Sequence, residues 1–372
     1  MRIAIVGGSL GGLFAAALLG RSGHGVLLFE RSRSGLEGRG AGLVGQRDIF
    51  AILRAVGCEH VAHVGVVANE RITLDRDGGI LERQATPQMQ ISWDHLYRSF
   101  RDLLADGVYR GGRTVAAVGQ NGDSAWLVIE DGTRVEVDLL VGADGLGSIV
   151  RRAVAQSDQG PQYAGYVAWR GLLPEGQLPA EAAGLLLDRF AFYPMAQSHM
   201  LGFMVAGPHG EMAVGQRRYN WVWYRREDDL ARRLTDRNGL PHSFSLAPGM
   251  VPDGARDELL EHARHLLPDA FRQVIEAEPT PFIQAIFDYE APRMAQGRMV
   301  LLGDAAFVVR PHTANGAAKA AGDAMTLRTM LEQQSLGPAL AAYEAERMTV
   351  GETIAAQGHR LARSLGIGQA PL

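Results

Sequence analysis

The sequence has few of the residues that mark secreted, membrane-spanning or nucleic-acid-binding proteins. Its single cysteine, Cys58, excludes an internal disulfide and favours a reducing compartment. Lysine and arginine number 37 against 41 acidic residues, and the net charge of −4 argues against a nucleic-acid-binding surface. No apolar run approaches the ~18 residues of a transmembrane helix, and glycines interrupt the first one, unlike in a signal peptide. We therefore expect a cytoplasmic protein with no membrane or nucleic-acid partner.

Hydrophobic residues make up 47% of the 372 residues, which is enough for a full core and excludes intrinsic disorder. The length exceeds that of one typical domain and suggests two lobes. Near the amino terminus, residues 2–6 and 26–29 are short apolar runs typical of buried parallel strands, and residues 13–19 are rich in Ala and Leu. These three segments predict a compact β-α-β unit.

A glycine-rich turn joins the first predicted strand to the helix, and residues 7–12 read Gly-Gly-Ser-Leu-Gly-Gly. Such a turn lets the backbone touch a pyrophosphate while the helix N-terminus faces its charge. Ser9 replaces the middle glycine of the usual pattern and is small enough for close approach. Glu30 ends the second strand, where a carboxylate accepts both ribose hydroxyls of an adenosine. The unit predicts a nucleotide, NAD or FAD, bound by Gly7, Ser9, Leu10, Gly11, Gly12 and Glu30.

The middle of the chain has a different pattern from its two ends. Short alternating runs at residues 166–173, 189–193, 200–205 and 220–225 predict a β-rich second lobe over which a small molecule can lie. The first lobe is left near residue 155 and entered again near residue 285, so it is discontinuous in sequence.

Two further segments distinguish between NAD and FAD. Residues 138–151 read DLLVGADGLGSIVR, and residues 298–327 read RMVLLGDAAFVVRPHTANGAAKAAGDAMTL. In order and spacing, these segments and the N-terminal turn resemble the flavoprotein aromatic hydroxylases, the single-component FAD monooxygenases of the para-hydroxybenzoate hydroxylase type. The resemblance covers essentially the whole chain. It departs at residues 314–316, Ala-Asn-Gly where the family commonly has Gly-Gln-Gly, and at Trp93, where relatives often have Arg.

The resemblance implies an α/β fold in three parts. A Rossmann-like FAD-binding domain comprises residues 1–155 and 285–372 and ends in a helical tail, and a β-rich substrate domain comprises residues 156–284. The cofactor is FAD, and NADH or NADPH and O2 are co-substrates. The implied reaction is hydroxylation of an electron-rich aromatic or hydroxypyridine-type ring through a C4a-hydroperoxide of the flavin.

The same resemblance implies positions for FAD. Asp304 would bind the ribityl chain, and Pro311 would turn the chain beside the flavin ring. The N-terminus of a helix starting near Asn315 would face the pyrimidine edge, where its partial positive charge stabilises the anionic reduced ring. Asp144 lies close to the pyrophosphate in such folds. The other implied contacts are Arg31, Arg39, Gln46, Gly316, Ala317 and Ala318.

Few residues are candidates for contact with the substrate. His312 and Tyr193 are the catalytic candidates. An imidazole with an unperturbed pKa of ~6.5 is suited to accept a phenolic proton, and the phenol of Tyr193 is suited to bind or relay one. Arg170 is a candidate partner for an anionic substrate, and Trp169 and Trp221 are candidate walls for a flat ring. Each has a structural alternative: a loop histidine packed on FAD, a surface or interlobe ion pair, or an aromatic residue in the core. No metal or protein nucleophile is required.

Other functions remain open to different degrees. Flavin halogenases depend on an active-site lysine, but the single lysine, Lys319, lies inside the predicted FAD-proximal helix. Attack on a non-pyridine phenolic, polyketide or other ring is not excluded by the sequence. A non-catalytic FAD-binding sensor is disfavoured because no additional partner domain is visible. The helical tail is a candidate homodimer contact.

Overall fold

The structure is a computed structural model and describes residues 1–38, 42–157 and 159–368, apart from the side chains of residues 62 and 64. Arg39, one of the predicted cofactor contacts, lies outside the described residues. In chain order the strands are β1 (Arg2–Val6), β2 (Gly25–Glu30), β3 (Gly42–Val44), β4 (Val66–Ala68), β5 (Glu70–Leu74), β6 (Ile80–Gln84), β7 (Gln88–Ser92), β8 (Tyr109–Gly111), β9 (Val115–Gln120), β10 (Ala125–Ile129), β11 (Arg134–Val137), β12 (Leu139–Gly142), β13 (Gln162–Pro174), β14 (Arg189–Met195), β15 (Ser198–Val205), β16 (Arg218–Arg226), β17 (Ser245–Leu246), β18 (Phe282–Glu290), β19 (Ala295–Gln296), β20 (Met299–Leu301) and β21 (Phe307–Val308).

Helices alternate with these strands in the first lobe and cover one face of the second. They are α1 (Leu10–Arg21), α2 (Arg47–Ala55), α3 (Trp93–Asp102), α4 (Val150–Ala155), α5 (Ala180–Leu186), α6 (Leu230–Arg233), α7 (Asp253–Leu266), α8 (Asp269–Ala277), α9 (Gly316–Gln333) and α10 (Leu336–Ser364). Short 3-10 turns at Gly145–Gly147, Gly303–Ala305 and Pro311–Thr313 carry residues discussed below. Among the helices of the described part of the chain, none combines the length and apolar character that crossing a membrane requires.

The first lobe is built on a sheet with the strand order β19-β20-β12-β1-β2-β8. Strand β1 pairs in parallel with β12 on one side and β2 on the other. All three are almost entirely buried, because α1 and the three-stranded sheet of β9, β10 and β11 pack against them. The predicted α/β fold and its N-terminal β-α-β unit are confirmed. Since β20 joins this sheet from residues 299–301, the lobe is completed by the returning chain.

The second lobe is a large sheet in the order β17-β18-β13-β16-β15-β14-β5-β6, with β21 paired to β18. One face packs on α5, α7 and α8 around three fully buried tryptophans, Trp169, Trp221 and Trp223. Strands β5 and β6 belong to this sheet, and β5 pairs in parallel with β14. Residues 70–84 therefore have to be moved from the predicted FAD-binding domain to the β-rich sheet, because their hydrogen-bond partners lie there.

Candidate active site

The glycine-rich turn after β1 leaves no space for a side chain at Gly7 or at Gly12. Gly7 has a left-handed φ of +106°, and a Cβ on it would lie 2.3 Å from the carbonyl oxygen of Ala143. A Cβ on Gly12 would lie 1.9 Å from the carbonyl oxygen of Gly7. The turn therefore requires glycine at both positions for backbone reasons, and the carboxyl ends of β1 and β12 meet beside the start of α1.

The N-terminus of α1 is not capped by its own side chains. Ser9 is the N-cap residue, and its side chain makes no capping hydrogen bond. The first N–H groups of a helix have no partner within the helix and carry the positive end of its dipole. Leu10 is buried, and Gly11 lies against the end of β20 and α9, where a Cβ would be 3.0 Å from Leu302 Cδ1. The turn and the later Gly-Asp segment are therefore neighbours.

Glu30 is buried at the end of β2, beside the turn. Its Oε2 accepts the N–H of Gly8 at 2.8 Å and its Oε1 accepts the N–H of Ser32 at 2.8 Å. Each carboxylate oxygen has a second lone pair, so the group can still accept hydroxyl donors. The next residue, Arg31, is exposed.

Asp304 lies in the 3-10 turn after β20 and is exposed to solvent. The surrounding protein nevertheless raises the pKa of Asp304 by desolvation. Among the described residues, none donates a hydrogen bond to this carboxylate. An exposed acceptor that has no protein donor among the described residues is suited to bind the hydroxyls of a ligand.

Asp144 lies beside the glycine-rich turn, but its carboxylate is used in the turn that precedes α4. It accepts the hydroxyl of Ser148 at 2.5 Å and the N–H of Ile149 at 2.8 Å. Burial raises the pKa of Asp144, and these hydrogen bonds oppose that effect. Asp144 therefore shapes the segment against which Gly7 packs.

The N-terminus of α9 is the second uncapped helix end in the cleft. Its N-cap residue, Asn315, uses its side-chain amide to donate to the carbonyl of Thr313 at 3.1 Å. Ala314 has a left-handed φ of +53°, and its carbonyl accepts Nε2 of Gln46 at 2.8 Å. The structure thus brings Gln46 to the turn between Pro311 and the helix. The first residues of α9, Gly316 and Ala317, are half-buried, and Ala318 is buried.

These features fit a long dinucleotide cofactor. The free helix N-terminus of α1 suits phosphates, the buried Glu30 suits a ribose, and Asp304 suits a polyhydroxyl chain. The second free helix end, at Asn315, suits a group that becomes anionic. The predicted contact of Arg39 lies in the part of the chain that is not described and stays a prediction.

One face of the large sheet carries a cluster of aromatic and titratable residues. Tyr224 on β16 lies directly opposite His199 on β15 and Ala168 on β13, so Tyr166 and Arg170, two residues to either side of Ala168, share that face. His312 joins them from the other lobe. Tyr166 Oη lies 3.0 Å from His312 Nε2, and the ring of Tyr224 meets that of His312 edge-on at 4.5 Å.

Both histidines of this face are neutral at physiological pH. Burial lowers the pKa of His312 to about 3 and that of His199 to about 4. The expectation of an unperturbed His312 is therefore corrected: desolvation, with His199 and Arg310 nearby, disfavours the imidazolium. Burial raises the pKa of Tyr166 far above its usual range, so its hydroxyl keeps its proton. His312 can accept a hydrogen bond at one ring nitrogen and donate one from the other.

Arg170 forms no ion pair with a carboxylate among the described residues. Its Nη1 donates to Gln284 Oε1 at 3.1 Å, and its buried Nε has no hydrogen-bond partner in the described part of the chain. Burial lowers the pKa of Arg170, yet a guanidinium stays charged in proteins. The predicted alternative, a surface or interlobe ion pair, is therefore not formed among the described residues.

Three predicted substrate-side residues lie on the opposite face of the sheet. Trp169 pairs with Trp223 across β13 and β16, and Trp223 pairs with Met200, which in turn pairs with Tyr193. All of these side chains are buried in the core beneath α7 and α8, and Trp221 is buried with them. The prediction that Tyr193, Trp169 and Trp221 face the substrate is corrected, because neighbouring residues of a strand point to opposite faces and helices cover this one.

Sequence reasoning missed Tyr166 and Tyr224 and gave little weight to His199. A signal was available for Tyr166: in a strand that contains Arg170, alternation places Tyr166 on the same face and Trp169 on the other. No local signal pairs Tyr224 with His199 or brings His312 to Tyr166, because these contacts depend on strand register and on packing between the lobes.

Comparisons with known proteins agree with this geometry. A family described as FAD binding domain-like matches residues 163–288, and a family described as FAD binding domain matches residues 261–357. The 2,6-dihydroxypyridine 3-monooxygenase of Paenarthrobacter nicotinovorans is 30% identical over 379 residues, which cover 99% of this chain and 92% of that protein.

A second relative and one solved structure extend the similarity. The 3-amino-4-hydroxybenzoate 2-monooxygenase of Streptomyces cremeus is 30% identical over 380 residues, covering 98% of this chain and 86% of that protein. The structure of 2,6-dihydroxypyridine-3-hydroxylase from Arthrobacter nicotinovorans has a TM-score of 0.92 at 28% identity, and the match covers 100% of this chain and 94% of that one. The described fold is therefore shared along the whole length of the chain.

Proposed function

The chain belongs to the single-component FAD-dependent aromatic monooxygenases. We propose that it hydroxylates a small hydroxypyridine-type ring, which binds as an anion between His312 and the face of the large sheet that carries Tyr166 and Arg170. The enzyme is an FAD-dependent aromatic hydroxylase with NADH or NADPH and O2 as co-substrates. When bound, FAD takes electrons from the nicotinamide and activates O2 for transfer of one oxygen atom to the ring. The protein must position the ring, stabilise its oxyanion and exclude water.

Named residues of the first lobe would hold FAD. We assign the pyrophosphate to the turn of Gly7 to Gly12 and the uncapped N-terminus of α1, and the adenosine ribose to Glu30. Asp304 would accept hydroxyls of the ribityl chain, and the free end of α9 would face the flavin ring. The assignment is supported by the absence of space for a Cβ at Gly7 and Gly12 and by the lack of a protein donor to Asp304 among the described residues.

The hydrogen bond between Tyr166 and His312 is the observation that carries the substrate proposal. The Tyr166 hydroxyl keeps its proton and lies 3.0 Å from Nε2 of the neutral His312. We assign the hydroxyl as the donor of this bond, which would leave the imidazole proton on Nδ1. We assign Nδ1–H as the donor that stabilises the ring oxyanion of the substrate. Because its pKa is about 3, the His312 imidazole is neutral at neutral pH. We therefore assign it as a hydrogen-bond donor to a substrate ring that is already anionic.

Arg170 supplies the positive charge that this anion needs. Arg170 is half-buried and has no carboxylate partner among the described residues, so a bound anion would provide the counter-charge that this cation lacks there. Its neighbour Gln284 fixes the guanidinium through Nη1, and the unpartnered Nε remains for a substrate oxygen. Leu201, Phe192 and Val222 give the same face apolar walls for a flat ring.

Relatives act on two kinds of ring, so the decisive experiment compares them. By its name, one relative acts on 2,6-dihydroxypyridine and the other on 3-amino-4-hydroxybenzoate. Purified holoenzyme is mixed with NADH or NADPH and each ring, and nicotinamide oxidation and the product mass are followed. We expect faster oxidation and a gain of one oxygen atom with the dihydroxypyridine. Hydroxylation of the aminobenzoate alone would contradict the pyridine assignment.

Two further expectations concern the location of the enzyme and its oligomeric state. We propose that the enzyme acts in the cytoplasm, which its single buried cysteine, Cys58, supports. We also propose that it forms a homodimer, for which light scattering of the holoenzyme after size exclusion is the test. A mass of one chain, 40.1 kDa, at micromolar concentration would contradict the dimer.

A further inference from the structure

Three consecutive carbonyls in the turn after β20 each accept a hydrogen bond from a buried cationic side chain. Lys319 Nζ donates to the carbonyl of Gly303 at 2.9 Å. Arg151 donates to the next two, from Nη2 to Asp304 at 2.7 Å and from Nε to Ala305 at 2.8 Å. The turn that presents the Asp304 carboxylate to the cleft is thus held from below by two positive charges.

Lys319 does not act on this turn alone. Its Nζ also lies 2.9 Å from Asp323 Oδ2, and the same oxygen accepts the N–H of Gly303 at 2.8 Å. Arg347 of α10 donates from Nε to the other oxygen of Asp323 at 2.7 Å. The Lys319–Asp323 pair therefore holds both the N–H and the carbonyl of Gly303, which has a left-handed φ of +59°.

The cluster also sets the charge near Asp304. Lys319 and Arg347 carry two positive charges against the one negative charge of Asp323, and all three side chains are buried. Burial raises the pKa of Asp304, and Asp323 acts in the same direction, whereas Lys319 and Arg151 lower it. The charged groups facing Asp304 are thus Lys319 and Asp323 from α9 and Arg151 from α4, with Arg347 of α10 behind Asp323.

Given the proposed role of Asp304 in holding FAD, we propose that Lys319 is a positioning residue for the cofactor: paired with Asp323, it holds the turn of Gly303 so that the Asp304 carboxylate is placed as an acceptor for FAD. An ion pair that served stability alone is a weak explanation, because the desolvation of a buried Lys–Asp pair offsets most of its attraction. The proposal concerns FAD binding, which is measured without substrate. Its failure and that of the substrate proposal are therefore distinguishable.

The test measures FAD binding to FAD-free protein as a function of pH. In Lys319→Met, the carbonyl of Gly303 loses the Lys319 ammonium and, among the described residues, keeps only the N–H of Ala306 as a donor, and Asp304 loses a favourable charge. We expect the Kd for FAD, from flavin fluorescence, to rise about tenfold or more at pH 7. FAD affinity should fall on acidification as Asp304 takes up a proton, and this acid limb should begin at higher pH in the variant, because the pKa of Asp304 rises without Lys319. Circular dichroism monitors folding over the same pH range.

Control variants separate this role from a general loss of stability. Arg217→Met removes a different buried cation, whose Nη2 lies 2.7 Å from Glu175 Oε1 in the β-rich lobe. This variant should leave the Kd for FAD and its acid limb unchanged. Lys319→Arg keeps the charge and should restore the wild-type acid limb. Wild-type affinity and pH profile in Lys319→Met would overturn the proposal.

Asp304→Asn keeps the proposal testable if Lys319→Met does not fold. This variant lacks the group assigned to the acid limb and should bind FAD weakly with no such limb. An acid limb unchanged from wild type in folded Asp304→Asn would overturn the role of Asp304 and, with it, that of Lys319.

Discussion

The hydroxyl oxygen of Tyr166 lies 3.0 Å from Nε2 of His312, and this hydrogen bond joins the β-rich sheet to the turn before α9. Tyr166 is fully buried and stacks near His312 with ring centroids 5.7 Å apart. The bond therefore fixes which ring nitrogen of His312 faces the cleft, and the substrate proposal depends on that orientation.

Removing the Tyr166 hydroxyl should impair the reaction without affecting cofactor binding. In Tyr166→Phe, we expect kcat to fall about tenfold, because His312 loses the partner that sets its tautomer and orientation. FAD content should stay at the wild-type level. Steady-state kinetics and the flavin absorbance of the purified variant check both results.

Tyr163→Phe is the matched control for Tyr166. Tyr163 lies on the same strand, and its hydroxyl donates to the carbonyl of Glu227 at 2.8 Å, away from His312. Its loss should leave kcat unchanged. Equal effects of the two substitutions would mean that the Tyr166 hydroxyl has no specific role.

Arg170→Met should weaken the binding of anionic rings. Because the guanidinium has no carboxylate partner among the described residues, its loss removes the counter-charge of the substrate and leaves no buried acid unpaired. We expect KM for the preferred anionic ring to rise by a factor of about 10 to 100.

Arg83→Met is the control for Arg170, since this exposed arginine pairs with Glu70 on the edge of the same sheet. It should retain the wild-type KM. An unchanged KM in Arg170→Met itself would remove Arg170 from the substrate site.

The two buried histidines should make the protein sensitive to acid. His199 and His312 have pKa values of about 4 and about 3 when folded, against ~6.5 when unfolded. Since only the unfolded chain binds these protons between those values, the free energy of unfolding falls as pH drops below about 6.5. At pH 5 each histidine should lower the free energy of unfolding by about 2 kcal/mol.

His199→Asn isolates one of these contributions. The loss of stability between pH 7 and pH 5, measured by urea unfolding with saturating FAD, should be about 2 kcal/mol smaller than in wild type. His265→Asn, on the exposed side of α7, should show the wild-type difference. A wild-type difference in His199→Asn as well would argue against a neutral buried His199.

Trp221→Phe should affect stability and not substrate binding. Trp221 is fully buried, and its indole N–H lies 3.4 Å from Glu278 Oε2 on the helix-covered side of the sheet. We expect the free energy of unfolding to fall by about 1–3 kcal/mol. KM should stay within twofold of wild type, and a large KM change with intact stability would return Trp221 to the substrate site.

The sequence allowed prediction of the features that local backbone geometry requires. The turn at Gly7 and Gly12 was predictable because only glycine fits where a Cβ has no space. The position of Glu30 was predictable because the β-α-β unit places it at the end of β2. The segment containing Asp304 was predictable through the family resemblance, and His312 was a candidate because it directly follows Pro311.

The substrate face was only partly predictable, for reasons of packing. Alternation along β13 separates Arg170 from Trp169, but the sequence does not say which face the helices cover, and Trp169 lies on the covered one. The low pKa of His312 arises from burial between two lobes and from His199, a residue far away in sequence. Tyr224 and His199 meet through strand register, which no local pattern reveals.

The ratio of hydroxylated product to nicotinamide consumed, in His312→Ala and in wild type, tests the central claim most directly. With 2,6-dihydroxypyridine, we expect wild type to convert most of the NADH or NADPH consumed into hydroxylated product. His312→Ala should keep its FAD but yield much less product per nicotinamide, because the ring oxyanion is no longer stabilised and water reaches the cleft. A variant with wild-type turnover and an unchanged ratio would contradict the placement of the reacting ring beside His312.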